Sequence, residues 1–169
     1  TSYWMFNDGV VGCHGQHFPK THFSFGDVGE VIIHANLRAG RPRLVPVYLY
    51  EQERLEPLRL KTEQRYMAAK LIKQADALRS TAPRQKSRIR DVDAAKHVLR
   101  GMAQNGQFCE SISGALADMA EFCEYNDDLF LDMHFQNFMV RPGTGDLVFS
   151  DPVGCSSIWN SHRNYDVFS

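Results

Sequence analysis

The sequence predicts an α+β fold in which a β-rich first third precedes a helical middle and a late β-hairpin. Three observations carry this. Residues 1–50 are rich in strand formers and turn signals. Three segments between residues 60 and 125 repeat apolar residues at helical spacing. Two short apolar runs, Phe138–Val140 and Leu147–Phe149, flank Pro142-Gly143-Thr144-Gly145-Asp146.

The 169 residues suit one domain or two tightly joined lobes, with 43% hydrophobic and 23% charged residues, an ordinary globular composition. A formal net charge of −1 supplies no global field toward nucleic acid, and nucleic acid is not an expected partner. Cys13, Cys109, Cys123 and Cys155 are scattered without a Cys-x-x-Cys pair, which points to free thiols in a reducing cytoplasm. No apolar stretch approaches the ~18 residues of a membrane span, and no secretory signal is visible, so no membrane partner is expected. Thr1 leaves open whether the N-terminus is complete.

In order along the chain, Trp4, Phe6, Val10 and Val11 surround Asn7-Asp8-Gly9, a hairpin-type turn. Phe23 and Phe25 alternate with His22 and Ser24, as in a half-buried strand. Glu30–Leu37 fits helix or strand equally. Gly40-Arg41-Pro42 is a break, and Val45–Tyr50 reads as a strand that Pro46 confines to an edge. Met67, Leu71, Ile72, Ala75 and Leu78 then share one helical face, as do Val92, Ala95, Val98, Leu99 and Met102, with Asp91 as a cap. Ile112, Ala115, Leu116, Met119, Phe122 and Cys123 make the cleanest stripe, opened by Ser111. Residues 79–90 carry five basic residues and no acidic one, and read as a loop between helices. That loop is a solvated connector first, and second a patch for an acidic or phosphate-bearing partner. Ser80, Thr81 and Ser87 are phosphorylation candidates within it.

The chemistry concentrates in Leu131-Asp132-Met133-His134-Phe135-Gln136-Asn137, the hairpin, and Ser150-Asp151-Pro152. Phosphoryl transfer passes through a loose transition state, so the protein mainly positions reactants and stabilises charge. Asp132 suits the carboxylate that orients an attacking hydroxyl and accepts its proton. Asn137 and Asp151 suit the hard oxygen ligands of magnesium. The hairpin brings them together, since Asn137 enters its first strand and Asp151 leaves its second. Each element alone is commonplace; the combination with an amphipathic helix and the apolar lead-in Leu129-Phe130-Leu131 is much rarer.

Leu131–Arg141 and Leu147–Val153 resemble the catalytic and metal-binding loops of kinases. They are most similar to the early serine/threonine protein kinase of short-tailed phages, where Asp-Met-His precedes the asparagine and Asp-Pro-Val replaces Asp-Phe-Gly. The resemblance is specific over residues 111–155 and faint elsewhere. It implies a two-lobed protein-kinase-like fold, with residues 1–50 as a divergent β-rich N-lobe and 51–169 as a helical C-lobe. It also implies ATP and Mg2+ as cofactors, Val47–Gln52 as the adenine hinge with Tyr50, Glu51 and Gln52 in contact, and 60–78 as the next helix. The implied activity is transfer of the ATP γ-phosphate to host proteins in the bacterial cytoplasm, redirecting host transcription or other machinery.

Two departures matter. Phe130 stands where kinases place histidine. More seriously, no Val-Ala-Ile-Lys-like string exists. Ser24 falls where the phosphate-gripping lysine belongs, and Lys20 and Glu30 are the nearest candidates for the lysine and its glutamate. The glycines at 9, 12 and 15 lack the G-x-G-x-x-G order. His134 reads as a structural hydrogen-bonding residue, and His14, His17 and His22 fit no zinc spacing. The alternative class is a catalytically weak or inactive kinase-fold protein that binds and inhibits a host protein. Phosphorylation of a small molecule is a third reading. It is disfavoured because only sixteen residues follow Asp151-Pro152-Val153, too few for an acceptor-binding subdomain.

Overall fold

The computed structural model describes residues 15–33, 43–82, 91–127 and 129–155. They form an α+β architecture of helices and small antiparallel sheets. The Asn7-Asp8-Gly9 turn, Gly40-Arg41-Pro42, Ser87 and most of the 79–90 segment lie outside those residues.

β1 (Thr21–Ile33) and β2 (Arg43–Gln52) pair as an antiparallel two-stranded sheet. The ambiguous Glu30–Leu37 segment is therefore strand over Glu30–Ile33. Period alone does not settle four residues, but the partner strand does, pairing Val31 with Val45 and Ile32 with Leu44. Pro46 lies opposite Glu30. In a two-stranded sheet every residue is at an edge, so its missing N–H is tolerated. Three register shifts interrupt the ladder between Thr21 and Gly29, the kind of irregularity that increases twist. β2 runs to Gln52, two residues past the lobe boundary expected at residue 50.

β3 (Glu56–Pro57) leads to α1 (Glu63–Thr81). Thr62 caps α1, its hydroxyl accepting from the Arg65 N–H at 3.3 Å, and Glu63 places negative charge in the first turn. The helix overruns the expected start of the loop at residue 79. Arg79, Ser80 and Thr81 form its last turn, with the Ser80 and Thr81 hydroxyls donating to the carbonyls of Ala77 and Leu78. It stops at Ala82, whose ψ of 138° is the extended conformation imposed by the following Pro83.

α2 (Asp91–Gln104) buries all five residues of its predicted face, and it packs against both α1 and α3 (Glu110–Phe122). Gly101 permits the approach to α1, because a Cβ there would sit 3.0 Å from Leu78 Cδ1. In α3, Ile112, Ala115, Leu116 and Met119 are buried and Phe122 is partly so, with buried Cys123 at the C-cap. The helix begins one residue before Ser111, with Cys109 rather than Ser111 in the N-cap position. The Ser113 N–H already reaches the Cys109 carbonyl at 2.9 Å, so the first helical bond forms ahead of the serine.

α2 also supports β4 (Leu129–Leu131), which pairs with β7 (Val153–Cys155). Between them lies the predicted hairpin, β5 (Phe138–Val140) and β6 (Leu147–Phe149), with β3 on its outer edge. Gly143 and Gly145 hold positive φ of 88° and 76° in its turn, conformations that favour glycine. Phe18 joins Phe138 and Phe149 in an aromatic core, with centroids 6.0 and 5.4 Å from Phe149. Among the described residues, no helix is long and apolar enough to cross a membrane.

Candidate active site

β4 alternates correctly to deliver Asp132. Leu129 and Leu131 are buried, and so is Met133 beyond them, leaving Asp132 and His134 at the partly exposed positions between. The Asp132 N–H donates to the Pro152 carbonyl at 2.9 Å, and the Ser150 N–H donates to the Asn137 carbonyl at 2.9 Å. These two backbone bonds bracket Asp151. One flanking residue is tied to Asp132 and the other to Asn137, which places all three residues at the open end of the hairpin.

Asn137 closes a 3-10 turn over Phe135–Asn137, its N–H donating to the His134 carbonyl at 3.0 Å. Its side-chain amide donates to the Asp132 carbonyl at 2.7 Å and to Asp132 Oδ2 at 3.2 Å. A carbonyl oxygen only accepts, so the NH2 group must face Asp132. The Asn137 Oδ1 is then the atom left to a cation, held by a residue that is itself only 8% exposed.

The Asp151 carboxyl titrates above the usual aspartate value. Desolvation is the largest cause, the Asp132 charge adds to it, and His134 opposes it. Two carboxylates near enough to repel, with an adjacent amide oxygen, make a hard donor set suited to magnesium shared with phosphates rather than to zinc. Among the described residues, no group of three or more His, Cys, Asp or Glu is arranged to hold a metal by itself.

None of the described hydrogen bonds or ion pairs joins the remaining predicted site residues to these three, Asp132, Asn137 and Asp151. Tyr50, Glu51 and Gln52 end β2, opposite Ser24, Phe23 and Thr21. Glu51 is exposed, while the Gln52 Nε2 is buried without a hydrogen-bond partner among the described residues. Lys20 is exposed just before β1, and its backbone exchanges two 2.9 Å hydrogen bonds with Glu53, one to the Glu53 side chain and one from the Glu53 N–H. No described contact joins Lys20 to Asp132, Asn137 or Asp151. Glu30 pairs with Pro46 and is exposed. His17 is a core histidine, its Nδ1 2.7 Å from the Leu147 carbonyl.

Sequence reasoning missed the residues that hold the site in place. Arg141, 7% exposed, chelates Glu53 through Nε at 2.9 Å and Nη2 at 2.6 Å, and donates to the carbonyls of Gln16 and Phe18. Arg79 donates to the carbonyl of Leu131, directly before Asp132, at 3.3 Å. Gln64 donates to the Gly145 carbonyl at 2.8 Å, and the Arg65 guanidinium stacks 4.0 Å over the Phe135 ring. No local pattern marks these contacts in the sequence. An open depression of about 440 Å3 lined by Thr62, Gln64, Arg141 and Gly143 lies at the closed end of the hairpin, away from Asp132.

Comparison with family models, curated proteins and solved structures found no match.

Proposed function

We propose that the chain is a phage-type serine/threonine protein kinase that transfers the ATP γ-phosphate to host proteins in the bacterial cytoplasm. In this reading the β1–β2 sheet belongs to a small N-lobe and the helices with the hairpin form the C-lobe of a two-lobed kinase-like fold. The observation that carries it is the convergence of Asp132, Asn137 and Asp151, stitched together by the Asp132–Pro152 and Asn137–Ser150 backbone bonds.

Each residue has a task that its surroundings suit. The Asp132 carboxylate orients the acceptor hydroxyl and takes its proton. Asn137 Oδ1 and the Asp151 carboxylate hold the cation, which, when bound, offsets phosphate charge. Tyr50, Glu51 and Gln52 line the adenine side, where the Gln52 Nε2 is a donor without an acceptor among the described residues.

The second reading is a kinase-fold protein that binds and inhibits a host protein. It is favoured by a specific observation: neither β1 nor β2 carries a lysine, and the described contacts of Lys20 go to Glu53. Intact-mass spectrometry after incubation with Mg2+ and ATP, with Asp132→Asn alongside, separates the two. One added phosphate in the parent and none in the variant supports the kinase. If neither the parent nor a bacterial lysate gains label, the binding reading replaces it.

A further inference from the structure

The carboxylate assigned as base has two oxygens in different surroundings. Asp132 Oδ2 receives the Asn137 amide at 3.2 Å, and His134 Nε2 lies 3.4 Å from the same atom. None of the described hydrogen bonds reaches Oδ1. The far side of the imidazole is also specified, because His134 Nδ1 accepts the Gln136 backbone N–H at 3.3 Å. A ring nitrogen that accepts carries no proton, so the hydrogen of the neutral ring sits on Nε2, facing Asp132. The 3-10 turn that places Asn137 therefore also sets the tautomer of His134.

We infer that His134 is a positioning residue for phosphoryl transfer: with Asn137 it occupies Oδ2 of Asp132, so that Oδ1 is the atom that takes the acceptor's proton. The inference rests on the kinase reading. In the step, the acceptor hydroxyl oxygen bonds to the γ-phosphorus as the bond from phosphorus to the β–γ bridging oxygen breaks. That electron pair leaves on ADP, and the hydroxyl proton passes to Asp132 Oδ1. His134 neither gains nor loses a proton. It removes one of the two ways the carboxylate could face the substrate, which is an orientational contribution.

The test uses His134→Ala and His134→Gln, since the Gln amide nitrogen falls near the position of the imidazole Nε2 and keeps its N–H. Transfer from radiolabelled ATP to a degenerate serine/threonine peptide library supplies kcat and KM. Long-range 1H–15N spectra of the histidine rings report the tautomer, with the signal lost in both variants assigned to His134. We expect the Nε2–H tautomer, a kcat lowered about tenfold in His134→Ala with the KM for ATP unchanged, and recovery in His134→Gln. An Nδ1–H ring, or a His134→Ala enzyme as fast as the parent, overturns the proposal while leaving the kinase reading intact. Absence of transfer by the parent to the peptides, to itself and to a bacterial lysate overturns the kinase reading and this role with it.

Discussion

Arg141 and Glu53, 88 residues apart in sequence, form a bidentate ion pair in which Nη2 lies 2.6 Å from Oε1 and Nε 2.9 Å from Oε2. Their side chains are only 8% and 13% exposed. The pair joins three parts of the chain. Arg141 follows β5 of the β5–β6 hairpin, Glu53 follows β2, and the Arg141 guanidinium also donates to the carbonyls of Gln16 and Phe18. Because Glu53 in turn accepts the Lys20 N–H at 2.9 Å, the end of the β1–β2 sheet where Thr21 pairs with Gln52 is tethered to the hairpin through one guanidinium.

Truncating Arg141 strands a buried carboxylate and several carbonyls, so Arg141→Met is expected to cost about 3–5 kcal/mol in urea denaturation. Arg141→Lys keeps the charge but not the fork, and falls between the two. The pair also predicts an acid limb. Burial pushes the Glu53 carboxyl up, but the Arg141 hydrogen bonds, the Lys20 N–H and the two cations outweigh it, and the net displacement is downward from 4.5. A carboxyl depressed on folding stabilises the protein above its ordinary value, and that stability is lost as pH falls through the lower folded value. Glu53→Gln should flatten the fall in stability below pH 4.5. An unchanged slope would remove Glu53 from the account.

Asp151 carries the opposite sign. Its carboxyl is raised above 3.8, so between that value and the raised one the folded state keeps a proton that the unfolded chain has released. Its contribution to stability is full below 3.8 and falls as pH rises across that window. Asp132→Asn removes one of the two causes that raise it, so the Asp151 midpoint followed by carboxyl NMR should drop. His134→Ala removes the opposing charge and should lift it. If Asp151 holds the cation, Asp151→Ala abolishes Mg2+-dependent nucleotide binding by calorimetry. Binding that keeps its full metal dependence would reject the assignment.

Gly154 pairs with Phe130 across β7 and β4, and the ring lies over the glycine. A Cβ at residue 154 would overlap Phe130 Cζ and come within 2.5 Å of Cε1. Gly154→Ala should destabilise by about 1–3 kcal/mol through displacement of that ring. The cost should shrink in a Phe130→Ala background, because the clash partner is gone. Equal costs in both backgrounds would show that the ring is not the cause.

Two cysteines should differ in reactivity. Burial pushes the Cys123 thiol up to about 11 inside the helical core. Cys109 is exposed at the N-cap position of α3, and the Ser111 hydroxyl, helped by backbone N–H groups and opposed by partial burial, holds its thiol below 9.0. Peptide-resolved labelling by iodoacetamide at pH 8 should modify Cys109 faster than Cys123 by on the order of tenfold or more. Comparable rates would contradict the burial of Cys123.

Much of the fold follows from local pattern. Apolar spacing locates the three helices, because a 3.6-residue period leaves one face to bury wherever the helix later docks. Val92, Ala95, Val98, Leu99 and Met102 are all buried for that reason. The β5–β6 hairpin is legible from its turn residues, and with it the nearness of Asn137 to Asp151, since a hairpin closes over a short stretch of chain. Helix ends were less legible. Arg79–Thr81 read as loop by charge, yet remain helical until Pro83 forces Ala82 to extend.

Tertiary structure alone decided the rest. Nothing near Glu53 in the sequence marks it as the partner of Arg141, and nothing near Leu131 points to Arg79. Such pairs are chosen by how the elements dock, and burial makes each side chain take whichever partner the dock presents. The same holds for Lys20, which the chain order offered as a candidate phosphate ligand and whose backbone the fold ties to Glu53. By itself the sequence determined that Asn137 and Asp151 share the hairpin's open end, because the hairpin closes over a short stretch of chain, whereas Asp132 is held there by its bond to Pro152 beside the β4–β7 pairing. The long-range ion pair, hydrogen bonds and sheet register that hold that end in place depend on distant segments meeting, and only the folded chain specifies them.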